Sequence, residues 1–357
     1  MQTNTIYIMD VFIANHPIYY RIPIVAVLNR TVFLFANRRI HTHADCAEES
    51  HVVYRRLQSG DRGQENILGL FEADGWNTPI GTAIVDQGEG LVRLSYYRWR
   101  SAKSNSPAIN HDQGYYIAST SDCGKTWEHI PEIVAKNKMN CRGHSHGASQ
   151  AITIRKGDQK GRLVVPARFF TKLGEDINNL QRNHYNCALY SDDRGKTWQT
   201  GGPVQVGTGE GCLVELSDGR IYYNSRAYFL DGQRRIAWSY DGGETFSDYS
   251  IEKQLKEPLN GGCNAGIVLY PPELSDGKDI ILFSNPDDEK RACMTVKASF
   301  DGGQTWRVSK VIHKGPSAYS SMAVGMDGTI YVLFENGEQH PYEKISLARF
   351  SLDWLKM

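Results

Sequence analysis

Several features that commonly decide the class of a protein are absent or scarce in this sequence of 357 residues. No run approaches the roughly 20 apolar residues of a transmembrane helix. The 40 basic and 40 acidic residues cancel, which argues against a general attraction to nucleic acid or to an anionic membrane. The N-terminal residues lack a basic region followed by an apolar core. We therefore expect a cytoplasmic protein, or a secreted or periplasmic protein whose signal peptide has been removed.

Cysteine, helical periodicity and linker composition are also scarce. The seven cysteines are dispersed and never in a CxxC spacing, so we interpret them as structural thiols rather than as zinc ligands or a disulfide framework. Acidic or cysteine residues at metal-ligand spacing do not accompany the histidines, and we expect neither a metal nor a cofactor. No linker rich in proline, serine or charge divides the chain. The sequence predicts one all-β domain over residues 1–357, with a helical turn at 351–357.

What the sequence does contain is a repeated eight-residue motif, with a hydroxyl residue first, Asp third, Gly fifth and an aromatic residue last. Asp at the third position accepts backbone N–H groups, and Gly at the fifth adopts a left-handed conformation. The motif is therefore predicted to be a turn between two strands. Four good copies and one copy without the aromatic residue are Thr120–Trp127, Ser191–Trp198, Ser239–Phe246, Ser299–Trp306 and Ser59–Asn66.

Each copy follows a run of residues that is typical of a β-strand. These runs are His51–Tyr54, Tyr115–Ala118, Asn186–Tyr190, Arg235–Trp238 and Cys293–Val296. Small sheets of this kind cannot bury both faces alone, so they stack radially, as in a β-propeller. The repeated turns should then lie on the outer rim, far from the central mouth. Function must be sought in residues that differ between the repeats.

Four arginines are candidates because they lie in or beside apolar strands. They are Arg21 in Tyr19–Pro23, Arg39 after Val32–Arg38, Arg226 at the end of Ile221–Arg226 and Arg291 before Ala292–Val296. Each of them alone would more ordinarily be a surface or ion-pair residue. Arginines of different repeats can converge only near a propeller axis, and a converging set would bind a carboxylate through bidentate hydrogen bonds.

With these residues in view, the sequence resembles the exo-α-sialidases, or neuraminidases, of glycoside hydrolase family thirty-three. The resemblance rests on Arg21-Ile22-Pro23 together with the four good repeats, which are Asp boxes in that family. Further matches, in the order of the family, are Gly161–Pro166, Glu210 with Asp218–Tyr222 and Asn224–Arg226, Ser284–Pro286 before Arg291, and Ala318–Ser320. The resemblance implies a six-bladed β-propeller of four-stranded antiparallel sheets, whose sixth blade is completed by strands from both chain ends.

The resemblance also implies roles for particular arginines. Arg21, Arg226 and Arg291 match the triad that binds the carboxylate of the substrate. Arg39 matches the basic residue that accompanies the first arginine of the triad, with Arg38 as an adjacent competitor.

Three further residues match the catalytic machinery of the family. Tyr319 matches the nucleophile, Glu210 its partner carboxylate and Asp45 the acid/base aspartate, for which Glu48 or Glu49 is an alternative. A phenol avoids the repulsion that an attacking carboxylate would meet at an anomeric carbon bearing a carboxylate. Because an ordinary tyrosine titrates near pH 10, it needs Glu210 as a base. Asp45 must be protonated to release the aglycone, so we expect it to be buried or close to negative charge.

The implied activity is that of a retaining exo-glycosidase that removes terminal α-linked sialic acid from glycoconjugates through a tyrosyl intermediate. Arg168, after Pro166, suits a more polar substituent than an N-acetyl group. It keeps open a related 2-keto sugar acid, either deaminated sialic acid or the eight-carbon acid of bacterial lipopolysaccharide. His144 and His146 are equally well explained as substrate contacts or as loop residues.

Two other classes of function remain as alternatives. A trans-sialidase would use the same residues and present an aromatic platform at the rim, for which Trp76, Trp99, Tyr96 and Tyr97 are candidates, although such residues more often pack in a core. A non-catalytic glycan-binding propeller predicts that one of the three catalytic residues is missing, whereas all three are present. The sequence does not define the linkage or the oligomeric state.

Overall fold

A computed structural model describes residues 5–45, 49–57, 66–68, 76–100, 114–131, 142–147, 149–170 and 184–357. Across these residues the regular structure is almost entirely β, which confirms the all-β prediction. The α-helix α1 (Leu352–Lys356) begins after Ser351, whose side chain accepts a hydrogen bond from the Trp354 backbone N–H. A helical turn was predicted there. The single 3₁₀ turn of these ranges is Pro272–Leu274.

The described residues form 25 strands. The first ten are β1 (Tyr7–Ile13), β2 (Ile18–Leu28), β3 (Thr31–Ile40), β4 (Ser50–Leu57), β5 (Asn66–Leu68), β6 (Trp76–Asn77), β7 (Ile80–Asp86), β8 (Leu91–Arg100), β9 (Gly114–Thr120) and β10 (Glu128–Pro131). The next nine are β11 (Arg142–His146), β12 (Ile152–Thr153), β13 (Leu163–Phe170), β14 (His184–Ser191), β15 (Gln199–Thr200), β16 (Thr208–Glu215), β17 (Ile221–Ala227), β18 (Gln233–Ser239) and β19 (Ser247–Lys256). The remaining six are β20 (Gly266–Tyr270), β21 (Ile280–Pro286), β22 (Ala292–Ser299), β23 (Val308–Val324), β24 (Ile330–Asn336) and β25 (Lys344–Phe350).

These strands form four hydrogen-bonded sheets in a propeller-like arrangement. The orders are β1-β25-β24-β23-β22-β21-β20, then β10-β9-β8-β6-β4-β3-β2 with β5 on β4 and β7 on β8, then β11-β13-β14-β15 with β12 on β13, and β16-β17-β18-β19. Neighbouring strands run antiparallel, apart from one parallel pairing between β4 and β6. Strands from the two ends of the described chain meet in the first sheet, where β1 pairs with β25.

The buried apolar residues lie between neighbouring groups of strands rather than in one central mass. One cluster joins residues of β2 and β3 to residues of β24 and β25, for example Val25 and Leu34 with Leu333 and Leu347. Another joins β2 and β3 to β7 and β8. This succession of packed faces is the one that radially stacked sheets require.

Three of the buried thiols belong to this packing. Cys187, Cys212 and Cys263 are buried, and burial raises the pKa of both Cys212 and Cys263 to about 11. Such thiols are unreactive, as the interpretation as structural residues requires. Cys46 and Cys141 lie outside the described residues.

The Asp-box turns have the predicted geometry. Asp122 Oδ1 accepts the backbone N–H groups of Lys125 and Thr126 at 2.8 and 3.0 Å, and the Thr120 hydroxyl accepts the N–H of Gly124 at 2.8 Å. Gly124 has a φ of 78°, a conformation that favours glycine. The hydrogen bonds from Thr126 lower the pKa of the Asp122 carboxyl well below its ordinary value. The turn therefore satisfies its own polar groups.

Each good copy connects the last two strands of its group, as predicted. The copies precede β10, β15, β19 and β23. The first strands of neighbouring groups, such as β2, β7, β16, β20 and the second part of β23, contact one another; these are the inner strands. The closing aromatic residue packs beneath the turn: Trp127 contacts Phe33, Phe35 and Tyr54 at ring-centroid distances of 6.3, 6.1 and 5.5 Å. The copy at Ser59–Asn66 lies almost wholly outside the described residues.

Candidate active site

A cavity of about 550 Å³ opens between β2, β16, β17 and β23, which carry Arg21, Glu210, Arg226 and Tyr319. It is lined by Arg21, His43, Ala44, Asp45, Arg168, His184, Glu210, Arg226, Tyr228, Arg291, Tyr319 and Tyr342. The structure therefore brings together every candidate site residue except Arg39, which lies behind the wall. Residues separated by about 300 positions in the chain meet in this one cavity.

A local irregularity precedes the cavity in each of three inner strands. The pairing register shifts between Arg21 and Ile24 in β2, between Thr208 and Gly211 in β16, and between Ser317 and Ser320 in β23. Such bulges re-aim side chains and are frequent beside functional sites. Arg21, Glu210 and Tyr319 lie within these three shifts, so the same device turns all three side chains toward the cavity.

The shared strand β23 places Tyr319 with particular firmness. Its first part pairs with β22 as far as Pro316, and its second part pairs with β24 from Ser317 onward. Tyr319 therefore lies just past the point where one strand changes partners. Its side chain is buried beside Cys263 and Ala318.

The Tyr319 hydroxyl is the centre of a short hydrogen-bonded chain. It donates to Glu210 Oε1 at 2.8 Å and accepts from Arg226 Nη1 at 2.8 Å, while the same Nη1 donates to Glu210 Oε2 at 2.5 Å. Burial and the Glu210 carboxylate raise the pKa of Tyr319, against the opposing charges of Arg226 and Arg291. Burial alone would raise the pKa of Glu210, yet Arg226 and Arg168 outweigh it and lower that pKa to about 2. The proton consequently resides on the phenol and the negative charge on Glu210.

The three arginines of the predicted triad converge on the Tyr319 ring. Their guanidinium carbons lie 5.4 Å (Arg21), 5.9 Å (Arg226) and 5.5 Å (Arg291) from its centroid. Arginines pointing away from one another would have excluded a carboxylate receptor, and the structure has the opposite arrangement. Three like charges at this separation favour an anionic ligand.

The two arginines of the later strands are anchored by a glycine pair. Arg226 Nε donates to the Gly261 carbonyl at 2.6 Å, and Arg291 Nη2 donates to the Gly262 carbonyl at 3.4 Å. Both glycines have positive φ, 73° and 65°. A Cβ atom on Gly262 would lie 2.5 Å from Glu257 Oε2, so this turn requires glycine.

The glycine pair is in turn held by a buried ion pair. Glu257 Oε2 accepts from Arg234 Nη1 at 2.9 Å, and both side chains are almost fully buried. Glu257 also accepts the backbone N–H groups of Ala227 and Cys263, and Arg234 donates to the Cys263 carbonyl. A buried charge pair with all of these hydrogen bonds positions the backbone on both sides of the turn.

Glu335 is a functional residue that the sequence reasoning missed. Its carboxylate is fully buried and accepts from Arg21 Nε at 2.7 Å, from the Ile22 N–H at 2.8 Å and from the Tyr319 N–H at 3.0 Å. It therefore positions the first arginine and the tyrosine together. The available signal was a charged residue within the apolar strand Ile330–Asn336, since a carboxylate is almost never buried without a partner. Ile22, with a φ of 58°, adopts a conformation that a β-branched residue rarely accepts without such support.

Asp45 lies at the rim of the cavity, and the prediction that it is buried or close to negative charge was wrong. Its side chain is 83% exposed, and Oδ1 accepts from Arg39 Nη1 at 2.9 Å. The expectation was burial or nearby negative charge, whereas the neighbour is a cation. The physical reason is that Arg39, buried beneath the 41–45 segment, holds this segment from below through Asp45 and the His43 carbonyl.

The competitors of Asp45 and Arg39 have other positions. Glu49 pairs with His51 Nε2 at 2.6 Å and does not line the cavity, and Glu48 lies outside the described residues. Arg38 faces His51 in the β3–β4 register and is likewise absent from the cavity lining. Burial and the charge of Arg21 lower the pKa of Arg39, which remains a cation because an arginine stays protonated in proteins.

Arg168 also lines the cavity. Its Nη1 donates to the Tyr228 hydroxyl at 3.1 Å, and Tyr228 packs edge-on against His184 at 5.6 Å. The backbone of β11 places His144 opposite Phe169 and Ser145 opposite Arg168. The side chains of His144 and His146 are outside the described part of the structure, so their role stays a prediction.

Two of the four aromatic candidates for an acceptor platform have side chains that the structure describes. Tyr96 is buried and stacks on Tyr116 at 5.6 Å, so it packs in the core, which was the more ordinary interpretation of these aromatic residues. Tyr97 contacts Tyr115 at 4.7 Å and does not line the cavity. The side chains of Trp76 and Trp99 lie outside the described residues.

Two features are absent from the part of the chain that the structure describes. No helix there has the length and apolar character needed to cross a membrane. No group of three or more His, Cys, Asp or Glu side chains there is arranged to hold a metal ion.

Comparison with known proteins places this architecture in a family. Residues 83–332 match the BNR repeat-like domain. A sialidase of Micromonospora viridifaciens is 30% identical over 94% of this chain and 52% of its own length. A sialidase of Bacteroides fragilis is 28% identical over 90% of this chain and 60% of its own length. Among solved structures, the Hadza microbial sialidase Hz136 has a TM-score of 0.78 at 24% identity, covering 94% of this chain and 66% of that protein.

The chain belongs to the BNR repeat-like domain family. Its resemblance to the exo-sialidase family is confirmed by relatives that match over nearly its whole length. The chain itself spans about half to two thirds of those relatives.

Proposed function

We propose that this protein is a retaining exo-glycosidase that removes a terminal α-linked sialic acid, or a related 2-keto sugar acid, from a glycoconjugate. The observation that carries the proposal is the Tyr319 hydroxyl, held between Glu210 Oε1 and Arg226 Nη1 at 2.8 Å each, in a cavity where three arginines converge. A base beside a phenol makes a nucleophile, and converging guanidinium groups bind a carboxylate. Few other substrates need both at one carbon atom.

In the first step the Tyr319 oxygen attacks the anomeric carbon while its proton passes to Glu210. The raised pKa of Tyr319 and the lowered pKa of Glu210 mean that this transfer is uphill at rest. It becomes favourable only as the new bond to carbon forms, so proton transfer and attack are coupled. Arg226 donates to the same oxygen and stabilises the negative charge that develops on it.

Arg21, Arg226 and Arg291 hold the carboxylate on the anomeric carbon. As the transition state gains oxocarbenium character, that carboxylate and the ionised Glu210 oppose the positive charge. Asp45, at the rim, protonates the departing aglycone oxygen and then activates water for the second displacement. Two displacements at one carbon give net retention.

The same proposal includes the finer architecture: one domain over residues 1–357, folded as a six-bladed propeller of four-stranded sheets. Six clusters of buried residues support it, each between neighbouring four-strand groups. The strand β23 then serves two blades in succession, and β6 links two blades into one nine-stranded sheet.

Arg168 is the observation that favours the related sugar acids as a second candidate. It lines the cavity and donates to Tyr228, so the wall there is polar and cationic. A hydroxyl substituent accepts a hydrogen bond from a guanidinium group, whereas a methyl group gains nothing from it. Deaminated sialic acid and the eight-carbon acid of lipopolysaccharide keep the carboxylate chemistry and lack the acetamido methyl.

The test is hydrolysis of fluorogenic glycosides of the three acids by the wild type and by Tyr319→Phe. We expect the wild type to cleave at least one of them and Tyr319→Phe to lose roughly a thousandfold or more of its turnover, since nucleophile and acid roles each contribute several powers of ten. Tyr240→Phe, an exposed tyrosine of an Asp-box turn, is the matched control. If no glycoside is cleaved, the enzyme proposal fails. If only the glycosides without the acetamido group are cleaved, the substrate is one of the related acids.

A further inference from the structure

We propose that Tyr342 is an internal competitor for the carboxylate-binding arginines and that it speeds release of the acidic product. The inference rests on the proposed function, because it assumes that a carboxylate binds to Arg21, Arg226 and Arg291. It assigns a role to a residue outside the predicted catalytic set.

Tyr342 contacts two of the three arginines at once. Its hydroxyl accepts a hydrogen bond from Arg291 Nη1 at 2.5 Å, and its ring centroid lies 3.8 Å from the guanidinium carbon of Arg21. The phenol therefore lies across both arginines, at the position that an anionic ligand would share with them. A carboxylate that takes bidentate hydrogen bonds from Arg291 must displace this hydroxyl.

The remaining donors of the triad are largely committed elsewhere. Arg21 Nε donates to Glu335 and its Nη1 to the His43 carbonyl. Arg226 Nε donates to Gly261, and its Nη1 is shared between Glu210 and Tyr319. Arg291 Nη1 is thus one of the few triad donors that a ligand can take without dismantling the catalytic chain, and Tyr342 occupies it.

The phenol is held in place by contacts other than the arginines. The turn between β24 and β25 is capped by Glu343, which accepts the backbone N–H groups of residues 338, 339 and 340. The Tyr342 ring also lies 4.8 Å from the His340 ring and 5.1 Å from the His43 ring. A competitor tethered in this way remains close to the arginines after displacement and can return to them.

This competition has a use in the proposed reaction. The free sugar acid keeps the carboxylate of the substrate, so a strong carboxylate site would also retain the product. A neutral hydroxyl is a weaker acceptor than a carboxylate, so Tyr342 lowers the affinity without preventing binding. The affinity that is measured is reduced by the fraction of molecules in which the competing contact is closed.

The experiment is isothermal titration of N-acetylneuraminic acid, its deaminated analogue and the eight-carbon acid into wild type, Tyr342→Phe, Arg291→Ala and Tyr7→Phe. Tyr342→Phe keeps the ring over Arg21 and removes only the hydroxyl. For the acid that binds the wild type, we expect Kd to fall about three- to tenfold in Tyr342→Phe, the effect of one competing hydrogen bond. Tyr7 also lies over an arginine, Arg349, at 4.4 Å, but away from the cavity, so Tyr7→Phe should bind as the wild type does.

Kinetics provide the second readout. In Tyr342→Phe we expect the inhibition constant of the free acid and KM to fall together, with no rise in kcat. A merely structural residue would instead raise KM and lower the thermal midpoint.

The outcomes separate the two proposals. If none of the acids binds the wild type, or if Arg291→Ala binds as well as the wild type, the carboxylate site itself is wrong, and the Tyr342 inference fails with it. If Arg291→Ala loses binding while Tyr342→Phe binds equally or more weakly than the wild type, the inference about Tyr342 alone is overturned, because the hydroxyl then does not compete with the ligand.

Discussion

The Asp-box turns at the rim and the cavity at the centre satisfy their charged groups in opposite ways. In the turn at Thr120–Trp127, every partner of the Asp122 carboxylate lies within four residues of it. In the cavity, Tyr319 is 109 positions from Glu210, and Arg21 is 314 positions from Glu335. The rim is built locally and repeated, whereas the cavity is built once from distant strands.

This difference separates stability from chemistry. Such a turn depends only on its own eight residues, so the same motif recurs along the chain. The cavity exists only when all the inner strands are packed, and each of its charges is balanced by a specific partner. Changes at the rim should therefore affect unfolding and leave catalysis intact, whereas only changes at the cavity should lower catalysis.

The largest difference between an effect on catalysis and an effect on stability is expected at Asp45. Because its side chain is 83% exposed, Asp45→Ala should change the free energy of unfolding by less than about 0.5 kcal/mol. Loss of a general acid should lower kcat about 10²- to 10⁴-fold, and the loss should be smaller for an aryl glycoside with a good leaving group than for a sugar aglycone. The control is Asp218→Ala, since Asp218 forms another exposed ion pair, with Arg220 at 2.7 Å, away from the cavity. Equal losses of kcat in the two variants would remove Asp45 from the mechanism.

A second comparison between the cavity and the rim uses the loss of stability at low pH. The pKa of Glu210 is lowered to about 2 in the folded chain, below its ordinary value of about 4.3. A carboxyl group with a lowered pKa stabilises the fold fully above its unfolded pKa and loses that contribution as pH falls through the folded pKa. The stabilisation by Glu210, roughly 3 kcal/mol at most, should therefore disappear between about pH 4.3 and pH 2.

The rim supplies the matched variant for this acid test. Hydrogen bonds from Thr197 and Ser191, outweighing the effect of burial, lower the pKa of Asp193 to about 2, so the same window applies to it. Urea unfolding from pH 7 to pH 2 should give a shallower acid loss in both Glu210→Gln and Asp193→Asn than in the wild type. At pH 6 only Glu210→Gln should have lost turnover. If Glu210→Gln lost stability at low pH as steeply as the wild type does, the Glu210 carboxylate of the wild type would not be stabilised by Arg226.

The smallest difference between two variants is expected for two glycines with the same backbone conformation. Gly303 in an Asp box and Gly219 in a surface turn have φ of 91° and 88°. A Cβ on Gly303 would lie 3.0 Å from Tyr222 Cε2, whereas one on Gly219 meets no atom within 4 Å. We expect Gly219→Ala to cost about 1 kcal/mol for its backbone alone. Gly303→Ala should cost about 1 to 3 kcal/mol more for the added contact, measured by urea unfolding, with turnover unchanged in both. Equal losses of stability in the two variants would show that the Tyr222 ring moves aside without an energetic cost.

The success of sequence reasoning follows the same division. Turns and strands were predictable because their determinants are adjacent: the hydroxyl, Asp, Gly and aromatic residue of each box act on one another. The convergence of Arg21, Arg226 and Arg291 was predictable once a radial fold was inferred, since only the axis brings such residues together.

The parts that were missed depend on tertiary contacts. Glu335 stands in an otherwise ordinary apolar strand, and its partners are the backbone of Ile22 and Tyr319 and the side chain of Arg21. The exposure of Asp45 follows from the position of Arg39 beneath its segment. The three register shifts that aim Arg21, Glu210 and Tyr319 arise from strand pairing, which no single segment of sequence specifies.

The pairing of β1 with β25 also has a mechanical consequence. The register matches Tyr7 with Arg349 at one end and Ile13 with Lys344 at the other, so the start of β1 lies beside the end of β25. A force that draws these two ends apart acts across the strands and loads one residue pair at a time, as a zipper does, instead of shearing all pairs together. Under tension the fold should open first at this pairing, at low force, while the inner strands that carry Arg21 and Tyr319 still hold their places.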